Sequence, residues 1–282
     1  MSVAEATTRR VRAPRGGMLG SELKLMLTRR RNLVGLVIMC LVPVVMGVVL
    51  WTTGSRDGGG PPFLSSIFGN GLFLILTNLL VQMTMFLPMA MSILAGDSIA
   101  GEANVGTLRY LLTVPVSRQR LLLTKFGALV IAAFGGVLLV CTVAGVTGVA
   151  LFGTGDLLTL SGTTLPFAEA LGRMVLIAVY VSISLTAVCA IGLFASTLTE
   201  QPIGAAIATF IWVLLDQIFG GLSAMDWLHP FLLSHYWSDW AGVLRDPVDW
   251  GGVAGGLIAP LVYVAVFVSA AWARFTTADI TS

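Results

Sequence analysis

Residues 101–125 read GEANVGTLRYLLTVPVSRQRLLLTK. The run 69–95 before this stretch is almost wholly apolar, and so is 126–152 after it. About 20 consecutive apolar residues suffice for a helix to cross a bilayer. The flanking runs are long enough to be spans, so the polar stretch between them is a loop at one membrane face. Composition agrees. Only 11% of the 282 residues are charged and 56% are hydrophobic, whereas a soluble domain carries about 25% charged residues. Water is not the main solvent of this chain.

Working outward, six apolar runs have spanning length: 33–53, 69–95, 126–152, 171–198, 203–220 and 253–275. Helices satisfy their own backbone groups in lipid, and no run shows the alternation of a β-barrel strand. The fold class is therefore an all-α integral membrane protein. Basic residues accumulate on the cytoplasmic side of membrane proteins. Arg9, Arg10, Arg12, Arg15, Lys24, Arg29, Arg30 and Arg31 precede the first run, and Arg109, Arg118, Arg120 and Lys125 follow the second. With Arg274 this places 13 of the 16 basic residues inside, so both termini are expected in the cytoplasm. The first run is too long for a cleaved signal peptide and is read as a retained span.

Residues 1–17 read as a disordered cytoplasmic arm, and 276–282 as a cytoplasmic tail. Within 18–32, Leu19, Leu23, Met26 and Leu27 share one helical face, with Ser21, Glu22, Lys24, Thr28 and Arg29 opposite. This pattern suits an interfacial helix beside anionic headgroups; a cytoplasmic extension of the first span is the alternative. The basic residues form no nucleic-acid face. Cys40, Cys141 and Cys189 lie singly in apolar runs, with no metal or redox spacing. Trp51 and Trp272 end their spans, and Trp227, Trp237, Trp240 and Trp250 crowd the last outer loop, as an aromatic belt does.

In the central loop, Asp97 and Glu102 come first, then Gly106 and Thr107, where a helix can start. Pro115 ends that helix. Ser117 can cap the next one, with Arg118, Arg120 and Lys125 as headgroup anchors. The order Glu102, Gly106-Thr107-Leu108, Leu111-Leu112, Pro115-Val116-Ser117-Arg118 and Lys125 resembles the signature of ABC-2-type transporter permeases. The resemblance extends over the chain: basic arm, six spans, a short turn at Thr199–Pro202, and a long outer segment before the last span. It implies that the loop holds a cytoplasmic coupling helix. Asp97, Glu102, Gly106, Thr107, Leu108, Arg109, Pro115 and Arg118 would meet a separate ATPase subunit, present in two copies beside a second copy of this chain. ATP and Mg would be bound by that partner, because the sequence contains no GxxxxGK[ST] loop. The implied function is export of a hydrophobic or amphipathic substrate across the cell membrane. No catalytic residue and no cofactor is expected in this chain.

The outer segment 221–252 is too aromatic for a free loop and too broken by Pro230 and Pro247 for a span; the resemblance suggests short re-entrant helices. Asp226, His229, His235 and Asp239, with His235 and Asp239 four residues apart, are a weak metal pattern that also suits a wet interface. Asp216 is the one acid well inside an apolar run, where a charge is costly. Asp216 and Gln217 are candidates for a substrate path or gate; an acid reaching water near the end of its span is the alternative. Gly252 and Gly256 are spaced for close helix packing or for a flexible junction. Two other classes remain open. An ion-coupled carrier predicts more intramembrane charges and internal symmetry. An intramembrane enzyme predicts converging His, Ser or Asp residues.

Overall fold

The computed structural model describes residues 17–54, 70–106 and 117–277. Their helices are α1 (Gly17–Thr28), α2 (Arg30–Gly54), α3 (Phe73–Thr84), α4 (Phe86–Asn104), α5 (Arg118–Phe152), α6 (Phe167–Leu198), α7 (Pro202–Gly220) and α8 (Trp250–Thr277). Three 3₁₀ stretches, Ser223–Phe231, Ser234–Tyr236 and Asp239–Leu244, connect α7 to α8. A two-residue hairpin, β1 (Leu157–Leu158) with β2 (Thr164–Leu165), connects α5 to α6. Helices α2, α5, α6, α7 and α8 are long and apolar enough to cross a membrane. The molecule is an all-α, multi-pass membrane protein.

Two expectations need correction. The run 69–95 is not one straight span: α3 and α4 meet at a 52° bend around Met85. Pro88 has no N–H to offer the Thr84 carbonyl four residues back, so the helical ladder fails there. The helix expected over 18–32 is also shorter than that. It ends at Thr28, and residues 30–32 already belong to α2. The corner is held by the Asn32 side chain, whose Nδ2 donates to the Met26 carbonyl at 2.8 Å. Of the arm expected over 1–17 and the tail expected over 276–282, only Gly17, Thr276 and Thr277 are described, at the ends of α1 and α8, and the expected coupling helix lies outside the described residues.

Helix α6 is the axis of the bundle: 78% of its most apolar stretch is buried, against 17% for α2 and for α8. Small residues let its neighbours approach. A Cβ on Gly192 of α6 would lie 2.5 Å from that of Ala95 on α4, and one on Gly96 would lie 2.6 Å from the Ala206 nitrogen on α7. Gly71 and Gly148 meet backbone to backbone in the same way. Such contacts are how helices gain dispersion energy where lipid removes the hydrophobic drive. Ser196 locks this core. Its hydroxyl accepts from the Ile99 and Ala100 N–H groups at 3.0 and 2.8 Å and donates to the Gly96 carbonyl at 2.9 Å.

The proline in α2 is handled from outside its own helix. Pro43 cannot donate to the Met39 carbonyl. Gln82 of α3, fully buried, donates to that oxygen at 3.0 Å. A neighbouring helix thus satisfies the backbone group that proline leaves open.

Candidate functional site

The ends of α1, α4 and α5 converge in a cluster of charge. Lys125, only 1% exposed, lies 3.1 Å from Glu22 of α1 and 2.5 Å from Glu102 of α4. Asp97, one helical turn before Gly101 on α4, pairs with Arg29 and lies 3.2 Å from Arg31. Six charges of balanced sign thus tie α1, the α1–α2 corner, α4 and α5 into one unit. Burying single charges at this depth is costly, and pairing is what permits it.

This alters the sequence reading in one respect. Lys125 is not a headgroup anchor; it is the buried centre of the cluster. Ser117 does cap α5, accepting from the Arg120 N–H at 3.3 Å. Arg118 reaches across to the end of α8 and donates to the Phe275 and Thr276 carbonyls at 3.1 and 3.2 Å. Those carbonyls lie in the last turn, where a helix lacks its own donors and favours cations. Gly106, the last described residue after α4, has φ +74°, a left-handed value that glycine adopts without strain. Thr107, Leu108, Arg109 and Pro115 lie outside the described residues. Of the expected site, Asp97, Glu102, Gly106 and Arg118 therefore flank the loop at its roots. The sequence shows Glu22 only as part of a polar helix face. Two lone acids and one lone lysine bordering apolar runs were the available signal for its partnership.

At the opposite end, Asp216 is 6% exposed and has its partners inside the protein. Its carboxylate accepts from the Leu233 and Ser234 backbone N–H groups at 2.9 and 2.7 Å. The Ser234 hydroxyl donates back to the Asp216 carbonyl at 3.2 Å. The side chain thus fixes the start of the Ser234–Tyr236 turn. Gln217 donates to the Thr84 carbonyl at 2.9 Å, the group that Pro88 leaves open. Gln217 also lines a cleft of about 420 Å³ with Ser234, His235, Trp237 and Trp240.

Other side chains fasten the segment between α7 and α8. Arg173 donates to the Val243 and Arg245 carbonyls, Tyr180 to that of Tyr236, and Tyr263 to that of Phe231. Gly256 gives Tyr180 room, since a Cβ there would overlap its hydroxyl. Trp227 and Trp250 are exposed, but Trp237 and Trp240 are buried in protein and do not join a headgroup belt. Burial pushes the Asp239 carboxyl above its ordinary range; His235 opposes the shift and Asp249 adds to it. Among the described residues no three His, Cys, Asp or Glu side chains gather as a metal site requires.

Residues 36–281 match the model of a family described as a protein of unknown function, DUF2705. The chain belongs to that family. No curated protein matches it. The match takes in the α4 and α5 sides of the charge cluster and the whole outer segment, while Glu22, Arg29 and Arg31 of this DUF2705 chain precede the matched residues.

Proposed function

We propose that this chain is the membrane-spanning permease subunit of an ABC-2-type exporter. The bent pair α3–α4 counts as one span, which makes six. Both termini lie in the cytoplasm of a multi-pass cell-membrane protein, and the 3₁₀ segment caps the outer end. A separate ATPase subunit, in two copies, binds ATP and Mg and drives a pair of permease chains. The cargo is a drug, lipid or antibiotic-like molecule of hydrophobic or amphipathic character.

The single observation that carries this reading is the braced root of the loop 107–116. That stretch holds the permease-like signature and leaves from α4 and enters α5, whose ends are joined through Lys125 and Glu102. A push on the loop therefore reaches α1, α4 and α5 together and is not lost in one flexible connection. Any force from ATP must act through different affinities of the partner for two arrangements of this unit. Asp97 and Glu102 serve in this reading as the seat of the coupling helix, and Thr107, Leu108 and Arg109 as its contact surface.

Co-expression with a P-loop ATPase encoded beside it tests the reading. A stable complex is expected, with ATPase activity that responds to reconstitution in vesicles. Arg109→Glu is expected to weaken association while the thermal unfolding of the permease alone stays unchanged. Transport by the chain alone under an ion gradient would overturn the proposal.

A further inference from the structure

The cleft of about 420 Å³ beside Gln217 is walled by the end of α3, the end of α7 and the 3₁₀ segment that follows. Its volume lies within the range of small-molecule sites, about 300–1,000 Å³. Leu80, Trp237 and Trp240 give it an apolar side, and Gln217, His235 and Ser238 a polar one. Leu80 is 53% exposed and carries most of the apolar side that an occupant would touch, since the two indoles are nearly buried.

The three polar side chains have bonding capacity to spare. Gln217 commits one amide N–H to the Thr84 carbonyl, and its Oε1 takes no hydrogen bond among the described residues. The His235 imidazole and the Ser238 hydroxyl likewise make none. His235 and Ser238 are exposed and Gln217 is half-buried, so all three can be reached from the cleft. An amide, an imidazole and a hydroxyl can each both donate and accept. No Asp, Glu, Lys or Arg lines the cleft.

This lining selects by charge. A phosphate or carboxylate needs a cation to meet it, and an ammonium needs a carboxylate. A hydroxyl needs neither, and it suits groups that donate and accept in turn. We propose that the cleft binds an uncharged, hydroxyl-rich ring, a neutral sugar. Its hydroxyls meet Gln217, His235 and Ser238, and its C–H face lies against Leu80. The same chemistry belongs to a free sugar and to the sugar headgroup of a lipid. The site stands on the cleft alone and not on the transport reading.

The test places full-length protein in phosphatidylcholine nanodiscs and titrates methyl glucoside, glucuronate and glucosamine by calorimetry. Methyl glucoside is expected to bind about tenfold tighter than either charged sugar, the worth of roughly one good polar contact. A second arm compares retention of diglucosyl diacylglycerol and phosphatidylglycerol by native mass spectrometry. Retention of the glycolipid without binding of free sugar assigns a lipid headgroup; binding of methyl glucoside assigns a soluble sugar. His235→Leu should weaken binding about tenfold, again one contact. Ser238→Trp should fill the cleft and abolish binding. Thermal unfolding of that variant should stay unchanged, because Ser238 is exposed and its hydroxyl holds nothing among the described residues. Equal binding of a charged sugar overturns the neutral ligand, and binding by Ser238→Trp overturns the cleft. Absence of binding in both arms overturns the site.

Discussion

Gln217 donates its side-chain amide to the Thr84 carbonyl at 2.9 Å, and Gln82 does the same for Met39 at 3.0 Å. Each oxygen lies four residues before a proline, Pro88 and Pro43. One rule governs both places: proline withdraws a backbone donor, and a glutamine from another helix replaces it.

The rule predicts rescue. Gln82→Leu is expected to lower stability by about 1–2 kcal/mol, since it orphans a buried carbonyl. Pro43→Ala restores the missing N–H, so the double variant should unfold at a higher temperature than Gln82→Leu. Additive losses in a double-mutant cycle would refute the pairing.

Gln217→Leu is expected to cost less, about 0.5–1 kcal/mol, because Gln217 borders an open cleft where water can replace it. The comparison of melting temperatures between the two leucine variants decides this order.

Lys125→Met should be the most damaging single change at the inner cluster. It leaves Glu22 and Glu102 facing each other with no cation between them, and breaking such a buried pair costs about 3–5 kcal/mol. Adding Glu22→Gln and Glu102→Gln removes the stranded charges. Thermal unfolding of the triple variant should recover most of the loss.

Asp216→Leu removes the acceptor for two backbone N–H groups, and Asp216→Asn keeps one oxygen for them. Hydrogen exchange at Leu233 and Ser234 should quicken strongly in the first variant and mildly in the second. Unchanged exchange in Asp216→Leu would show that the carboxylate does not hold the turn.

Asp239 gives a pH-dependent expectation. Its folded carboxyl titrates above the ordinary range, so the folded state favours the protonated form. The charged form therefore costs stability once pH exceeds the raised value, and the cost vanishes below the unfolded value. Asp239→Asn should raise the melting temperature at neutral pH and leave it unchanged at acid pH.

The spanning runs were legible because hydropathy and helix length are local properties. The cap at Ser117 was legible for the same reason, as was the end of α6 just before the turn Thr199–Pro202. The break at Met85 was not: Pro88 sits inside an apolar run, and prolines are tolerated in membrane helices. Pro43, by contrast, sits inside an unbroken α2. Lys125 looked like an anchor because its partners lie 103 and 23 residues away in the chain. The bonds of Asp216 to the turn were not legible, because its partners, Leu233 and Ser234, offer only backbone groups, which no side-chain pattern reveals.

Prolines in membrane helices often serve as pivots, yet neither Pro43 in the unbroken α2 nor Pro88 beside the bend stands free to flex. Each is stapled to a second helix by the glutamine that completes it. Swinging either helix must then first break an amide bond to its neighbour, at Gln82 or at Gln217.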